Sequence, residues 1–169
     1  MRALAWGEDY IAVGGTGDVV TILDGCNCKE KSNKNFKPFR ILHIIDDTGY
    51  VGSLDWNKHY PNVLAIGSRL DKFQLVLIES TLTKAKEENC VTSKIITAIW
   101  REDWVNALSF SYLGGLIAVG DQRGKATVYK IVNINDDKMD VLPITHYILE
   151  ESVLFISWSA NGKWLFMGG

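Results

Sequence analysis

One phrase recurs four times in this chain and constrains its fold more than any other feature. It reads Leu4-Ala5-Trp6 followed by Ile11-Ala12-Val13-Gly14. It returns as Leu54-Asp55-Trp56 with Leu64-Ala65-Ile66-Gly67, and as Leu108-Ser109-Phe110 with Ile117-Ala118-Val119-Gly120. The fourth copy is Ile156-Ser157-Trp158 with Leu165-Phe166-Met167-Gly168. The aromatic anchors stand 50, 54 and 48 residues apart. A period in this range marks one supersecondary unit stacked on its neighbours.

The third copy is the clearest unit. A run over 105–110 is followed by the turn Ser111-Tyr112-Leu113-Gly114-Gly115, a second run over 116–120 and the tight turn Asp121-Gln122-Arg123-Gly124. A third run over 125–132 is rich in strand-favouring Thr127, Val128, Tyr129 and Ile131, and a fourth over 144–149 closes the unit. Four strands joined mostly by short turns form an antiparallel meander the size of one propeller blade. The same frame places strands near 2–6, 10–15, 18–23 and 40–45 in the first copy, and near 51–56, 63–68, 73–79 and 94–100 in the second. The fourth copy has only two, near 153–158 and 164–168. The expected architecture is therefore an all-β propeller arc of four-stranded antiparallel blades: 1–45, 51–100, 105–149 and the inner half of another over 153–169. Trp6, Trp56, Phe110 and Trp158 are expected to fill the core between blades, with Ala12, Ala65 and Ala118 allowing close sheet packing.

These residues resemble the WD40 repeat family. Its Val-x-x-Leu-x-Trp strand stands here as Val51-Gly52-Ser53-Leu54-Asp55-Trp56, Val105-Asn106-Ala107-Leu108-Ser109-Phe110 and Val153-Leu154-Phe155-Ile156-Ser157-Trp158. The turn Ser159-Ala160-Asn161-Gly162-Lys163 is similar to the family's Ser-Pro-Asp-Gly-Lys. The repeats are degenerate. Where the family has Gly-His, this chain has Asp46-Asp47-Thr48-Gly49, Arg101-Glu102-Asp103-Trp104 and Glu150-Glu151-Ser152. Where it has Trp-Asp, this chain has Ile22-Leu23-Asp24, Leu77-Ile78-Glu79 and Tyr129-Lys130-Ile131. The family's Asp-His-Ser-Trp network is accordingly expected to be absent, with apolar packing carrying the blades. Closed propellers need roughly four to eight blades. The expectation is a piece of a longer propeller; the alternative is a self-assembling dimer or a heteromeric partner that supplies the rest.

Composition narrows the chemistry. A net charge of -2 gives no basic footprint for nucleic acid or an anionic membrane. No apolar run approaches the about 18 residues of a membrane span. Three cysteines, an odd number, make no disulfide framework, and an intracellular setting, cytoplasmic or nuclear, follows. His43, His59 and His146 stand apart without metal-spaced companions, so no metal and no cofactor is expected. Cys26, Cys28 and Cys90 are the one remaining cluster to consider, by metal or redox chemistry. Gly14-Gly15-Thr16-Gly17 lies between strands and reads as a hairpin turn; no phosphate loop and no nucleophile elbow occurs.

Two sets of loops remain. Insertions over 24–39, 80–93 and 133–143 fall between third and fourth strands and emerge on one face. The first is basic (Lys29, Lys31, Lys34, Lys37, Arg40) and the third acidic (Asp136, Asp137, Asp140). The turns before the inner strands form the opposite rim, with Asp46, Asp47, Glu102, Asp103, Glu150 and Glu151, and with Trp104 as an aromatic anchor. This acidic rim is the candidate partner site, suited to a basic peptide segment. The resemblance implies a non-catalytic scaffold that docks protein or peptide partners of a larger assembly. The competing readings are an enzyme with a channel active site and a salt-dependent nucleic-acid- or phospholipid-binding propeller. Polar residues converging on the inner strands would favour an enzyme; Ala3, Ser53, Ala107 and Phe155 do not, and Asp55 is the lone acid.

Overall fold

The computed structural model describes residues 2–25, 39–82, 89–134 and 138–169. Fourteen strands form four separate sheets among these residues. The first sheet contains β1 (Ala3–Trp6), β2 (Tyr10–Gly14), β3 (Val20–Asp24) and β4 (Ile41–Ile45). The second contains β5 (Val51–Trp56), β6 (Val63–Ser68), β7 (Lys72–Leu82) and β8 (Asn89–Trp100). The third contains β9 (Val105–Phe110), β10 (Leu116–Asp121), β11 (Lys125–Ile134) and β12 (Met139–Ile148). The last is the hairpin β13 (Phe155–Trp158) with β14 (Leu165–Gly168). Every pairing is antiparallel between chain neighbours, so each sheet is a simple meander.

The outer hairpins differ from the sequence expectation. Residues 80–82 and 89–93, expected in a loop, extend the ladder of β7 and β8, where Ser80 faces Val91 and Thr81 faces Cys90. Residues 133–134 and 139–143 likewise belong to β11 and β12. Strand-favouring residues, Thr81, Val91, Thr92, Ile134 and Val141, stand among the polar ones in both stretches, so the strands run on until the chain has to reverse. Lys29, Lys31, Lys34, Lys37, Cys26, Cys28, Asp136 and Asp137 lie outside the described residues. Cys90 is exposed.

Each sheet packs face to face on the next, and the core divides into one cluster per seam. Ala3, Ala5, Ala12 and Ile22 of the first sheet meet Leu54, Trp56, Leu64 and Val76 of the second. Val63, Ala65, Phe73 and Leu75 of the second meet Leu108, Phe110, Ile117 and Tyr129 of the third. A smaller cluster joins Ala107 and Ala126 to Val153, with Ile156 and Met167 packed on it. Because strand side chains alternate, each inner strand sends one set back to the preceding blade and the other set forward. The glycine that ends each of the first three phrases has a packing reason. A Cβ on Gly14 would stand 2.7 Å from Val51 of the next blade, and one on Gly67 would stand 2.6 Å from Val105. Gly120 meets Val153 in the same way. A valine from the next blade fills each socket.

The aromatic anchors are more than filler. Trp56, 4% exposed, donates its indole N–H to the Ala5 carbonyl of the preceding blade at 3.1 Å. Trp158 does the same to Ser109 at 3.0 Å. In the seam between them the aromatic is Phe110, whose ring has no donor, and the preceding blade supplies the side chains as acceptors instead. Asp55 accepts the Phe110 amide at 2.8 Å, and Ser53 accepts the Leu108 amide at 3.1 Å. Ser111 pairs with Leu116 in the β9–β10 ladder, so the alternate amides of Leu108 and Phe110 point away from β10 and need such partners. Trp6 departs from the expectation. It faces backwards from the first blade, where these residues provide no neighbour, and is 57% exposed.

Candidate partner-docking rim

Strands β5, β9 and β13 all start at one face, and the turns that precede them form a rim together with the turns β2–β3, β6–β7 and β10–β11. Asp46 and Asp47 are exposed in the turn before β5. Asp47 has φ 55°, a left-handed conformation that aspartate tolerates. This turn is tied to the first blade by the Gly49 amide, which donates to the Asp18 carboxylate, and by Thr48 N–H to the Asp18 carbonyl at 3.2 Å.

Glu102, Asp103 and Trp104 occupy the turn before β9. Their charges are already answered: Asp103 binds Arg123 Nε at 3.0 Å, and Glu102 meets Lys125 Nζ at 3.5 Å. Asp103 also accepts the Trp104 amide at 2.7 Å. Trp104, 40% exposed, is covered by the Arg69 guanidinium at 4.5 Å from its ring centre. Glu150 and Glu151, exposed in the turn before the last hairpin, form no ion pair among the described residues. They line a cleft of about 560 Å³ with Gln122, Arg123, Ser152 and Leu154. Arg123 is engaged by Asp103, so the net charge offered to this cleft is negative. The rim thus divides into a charge-paired stretch around Trp104 and an unpaired acidic stretch at Glu150 and Glu151. The structure does not bring all seven sequence-picked residues into one patch; they spread over three successive turns.

Beneath the rim lies a polar network absent from the sequence reading. Arg101, at the place of the missing Gly-His, is buried and pairs with Asp121 at 2.8 Å; their side chains are 6% and 2% exposed. It also donates to Thr127 Oγ1 at 2.9 Å and to the Tyr129 hydroxyl at 2.8 Å. Asp121 Oδ1 accepts the amides of Arg123 and Lys125, folding a tight turn in which Gly124 has φ 82°. A buried Arg–Asp pair therefore does in the third blade what the expected apolar packing was to do alone. The signal was present: Arg101 opens the turn Arg101-Glu102-Asp103-Trp104, and Asp121 begins another.

The opposite mouth holds a second cleft, of about 250 Å³, lined in part by Asp55, Lys58, Ser109, Tyr112, Ser157 and Trp158. Burial pushes the Asp55 carboxyl up from its ordinary value, while the Phe110 amide, and then Lys58, pull it back. One carboxylate oxygen is thus committed to the seam. Among the described residues no set of three or more His, Cys, Asp or Glu side chains converges as a metal site. His43 Nε2 lies 2.9 Å from Ser93 Oγ of the next blade. No helix long and apolar enough to cross a membrane occurs among the described residues.

No protein-family profile and no curated protein matches the chain by sequence. Solved structures do match by shape. Sqt1 of Chaetomium thermophilum, bound to the N-terminus of the ribosomal protein L10, superposes with a TM-score of 0.72 at 16% identity, over 98% of this chain and 42% of that one. The chain has the fold of a WD40-like β-propeller arc. Sqt1 of Saccharomyces cerevisiae gives a TM-score of 0.66 at 12% identity over 96% of this chain and 39% of that one. The chain thus spans about two fifths of the length of the Sqt1 chains it resembles. At these identities the likeness carries the fold.

Proposed function

We propose that this propeller arc is a non-catalytic scaffold that docks protein or peptide partners of an intracellular assembly through its rim, and that a basic segment seats in the acidic cleft. The observation that carries the reading is the unpaired Glu150–Glu151 pair beside a cleft whose arginine is already neutralised. Asp46 and Asp47 extend the acidic surface toward the first blade. Glu102 and Asp103 hold the rim's own cations and position Trp104 as an anchor. The reading takes residues 1–169 as one propeller unit with blades at 1–45, 51–100, 105–149 and 153–169. A propeller of the same shape, Sqt1, is known in complex with the N-terminus of a ribosomal protein, which supports a protein segment as the class of ligand.

The test is fluorescence anisotropy with a labelled Lys/Arg-rich peptide. Charge reversal of both acids, Glu150→Lys with Glu151→Lys, is expected to weaken binding about tenfold or more and to remove most of its salt dependence. Both residues are exposed, so folding is unaffected. Binding that ignores the reversal takes this cleft out of consideration.

A further inference from the structure

The same rim carries a group of opposite sign. Arg69, in the β6–β7 turn, is held between two rings: its guanidinium lies 4.3 Å from the centre of Tyr50 and 4.5 Å from that of Trp104. Its own amide donates to the Tyr50 carbonyl at 2.9 Å, which fixes the root of the side chain. Arg2 stacks on the same Tyr50 ring at 5.0 Å. Two guanidinium groups from different blades thus share one aromatic ring.

Neither arginine side chain has a carboxylate partner or a hydrogen-bond acceptor among the described residues. Arg69 Nε is buried and without a partner. The acids nearest in the chain to Trp104 are turned elsewhere, Asp103 to Arg123 and Glu102 to Lys125. Stacking satisfies the faces of a guanidinium and leaves its N–H edge unanswered. With Nε buried, the two terminal Nη groups are the open end, and this planar fork, fixed in orientation and backed by a second cation, fits a tetrahedral or planar oxyanion in bidentate fashion.

We propose that Arg2, Tyr50, Arg69 and Trp104 form an anion subsite on the rim that takes a phosphoryl group, or more weakly a carboxylate, from a side chain of a partner peptide. The subsite shares the rim with the acidic cleft and rests on the reading of the rim as a docking surface, but it uses none of that cleft's residues. Tyr50 and Trp104 each stand one residue before the valine that opens an inner strand, Val51 and Val105. Val51 seats in the first blade and Val105 in the second, so Tyr50 stands at the seam between the first and second blades and Trp104 at the next, and Arg69 of the second blade spans the two rings.

The test uses three labelled peptides of Gly and Ala that differ at one central residue: phosphoserine, glutamate or serine. The expected order of affinity is phosphoserine, then glutamate, then serine. Arg69→Met keeps the length and apolar contact of the stem and is expected to lose tenfold or more for the phosphopeptide. Arg69→Lys should recover part of that loss, because it restores charge without the fork. Arg40→Met, a change at an exposed arginine away from the rim, should leave binding unchanged. Equal affinity for the serine and phosphoserine peptides overturns the proposal, as does equal loss in Arg69→Met and Arg40→Met. The double reversal at Glu150 and Glu151 leaves phosphopeptide binding in place or improves it, so failure of the acidic cleft and failure of this subsite are read separately.

Discussion

Asp55 is the residue at which seam chemistry and solvation oppose each other. Its carboxylate caps the Phe110 amide, and burial raises its pKa above the ordinary 3.8. The folded chain therefore takes up this proton more readily than the unfolded chain does. The stability the group contributes is fully present below pH 3.8 and is lost as pH rises through the raised folded value. At neutral pH the buried charge is a net cost. Asparagine keeps an oxygen for the Phe110 amide and removes that charge. Asp55→Asn is expected to melt at a higher temperature than the parent at pH 7, with the gap narrowing as pH falls toward 3.8. Thermal denaturation across that range checks it; a parent that is the more stable at pH 7 shows that the charge-assisted bond outweighs desolvation.

At the scale of elements, the turn before β9 is locked to the β10–β11 turn by Arg101 and Asp121. Removing one member of a buried pair strands the other, at a cost of about 3–5 kcal/mol. Asp121 keeps two backbone amides, which places Arg101→Ala toward the lower end, about 3 kcal/mol. Arg101→Leu combined with Asp121→Asn leaves no stranded charge and should be markedly less destabilising than Arg101→Ala. Urea denaturation of the three proteins measures both effects; a double variant as unstable as the single one assigns the cost to lost packing. The phrase Leu-x-Trp with its closing small residues made the blades legible, because hydrophobic alternation and glycine spacing are local properties. The ties between blades were not legible. Whether Trp56 donates to Ala5 or Asp55 accepts from Phe110 depends on two strands about 50 residues apart meeting at a fixed stagger. Nor could local polarity tell that Glu102 and Asp103 are occupied by Lys125 and Arg123 respectively, since those partners come from the β10–β11 turn and the start of β11. The long outer hairpins were missed because turn-like polar residues continue along strands whose pairing extends outward.

Across the molecule, stability is a chain of nearest-neighbour contacts, because among the described residues the core is shared between each sheet and the sheets before and after it. The second blade is covered on both faces, and every residue of β6 is buried. Among the described residues the first blade is covered on its forward face only. Leu4, Trp6, Ile41 and Ile44 stand exposed on the other. The last hairpin is covered on its back by Ala107, Ala126 and Leu149, while Phe155 and Phe166 face outward. Local opening costs least where the fewest apolar contacts break. Amide hydrogen exchange on this chain is therefore expected to be slowest in β5, β6 and β7 and in β9 and β10, and faster toward both ends, with β13 and β14 fastest. The gradient follows from coverage and not from strand length, since β12 is long yet largely exposed beyond Val141. Trp6 makes the sharpest comparison. Trp56 and Trp158 each tie their strand to the blade before, so Trp56→Phe should speed exchange in β5 and in β1 together. Trp6→Phe removes an indole N–H that meets no acceptor among the described residues and should leave the pattern unchanged. Uniform protection from β1 to β14 overturns this picture and requires the outward faces of the first and last sheets to be covered in solution.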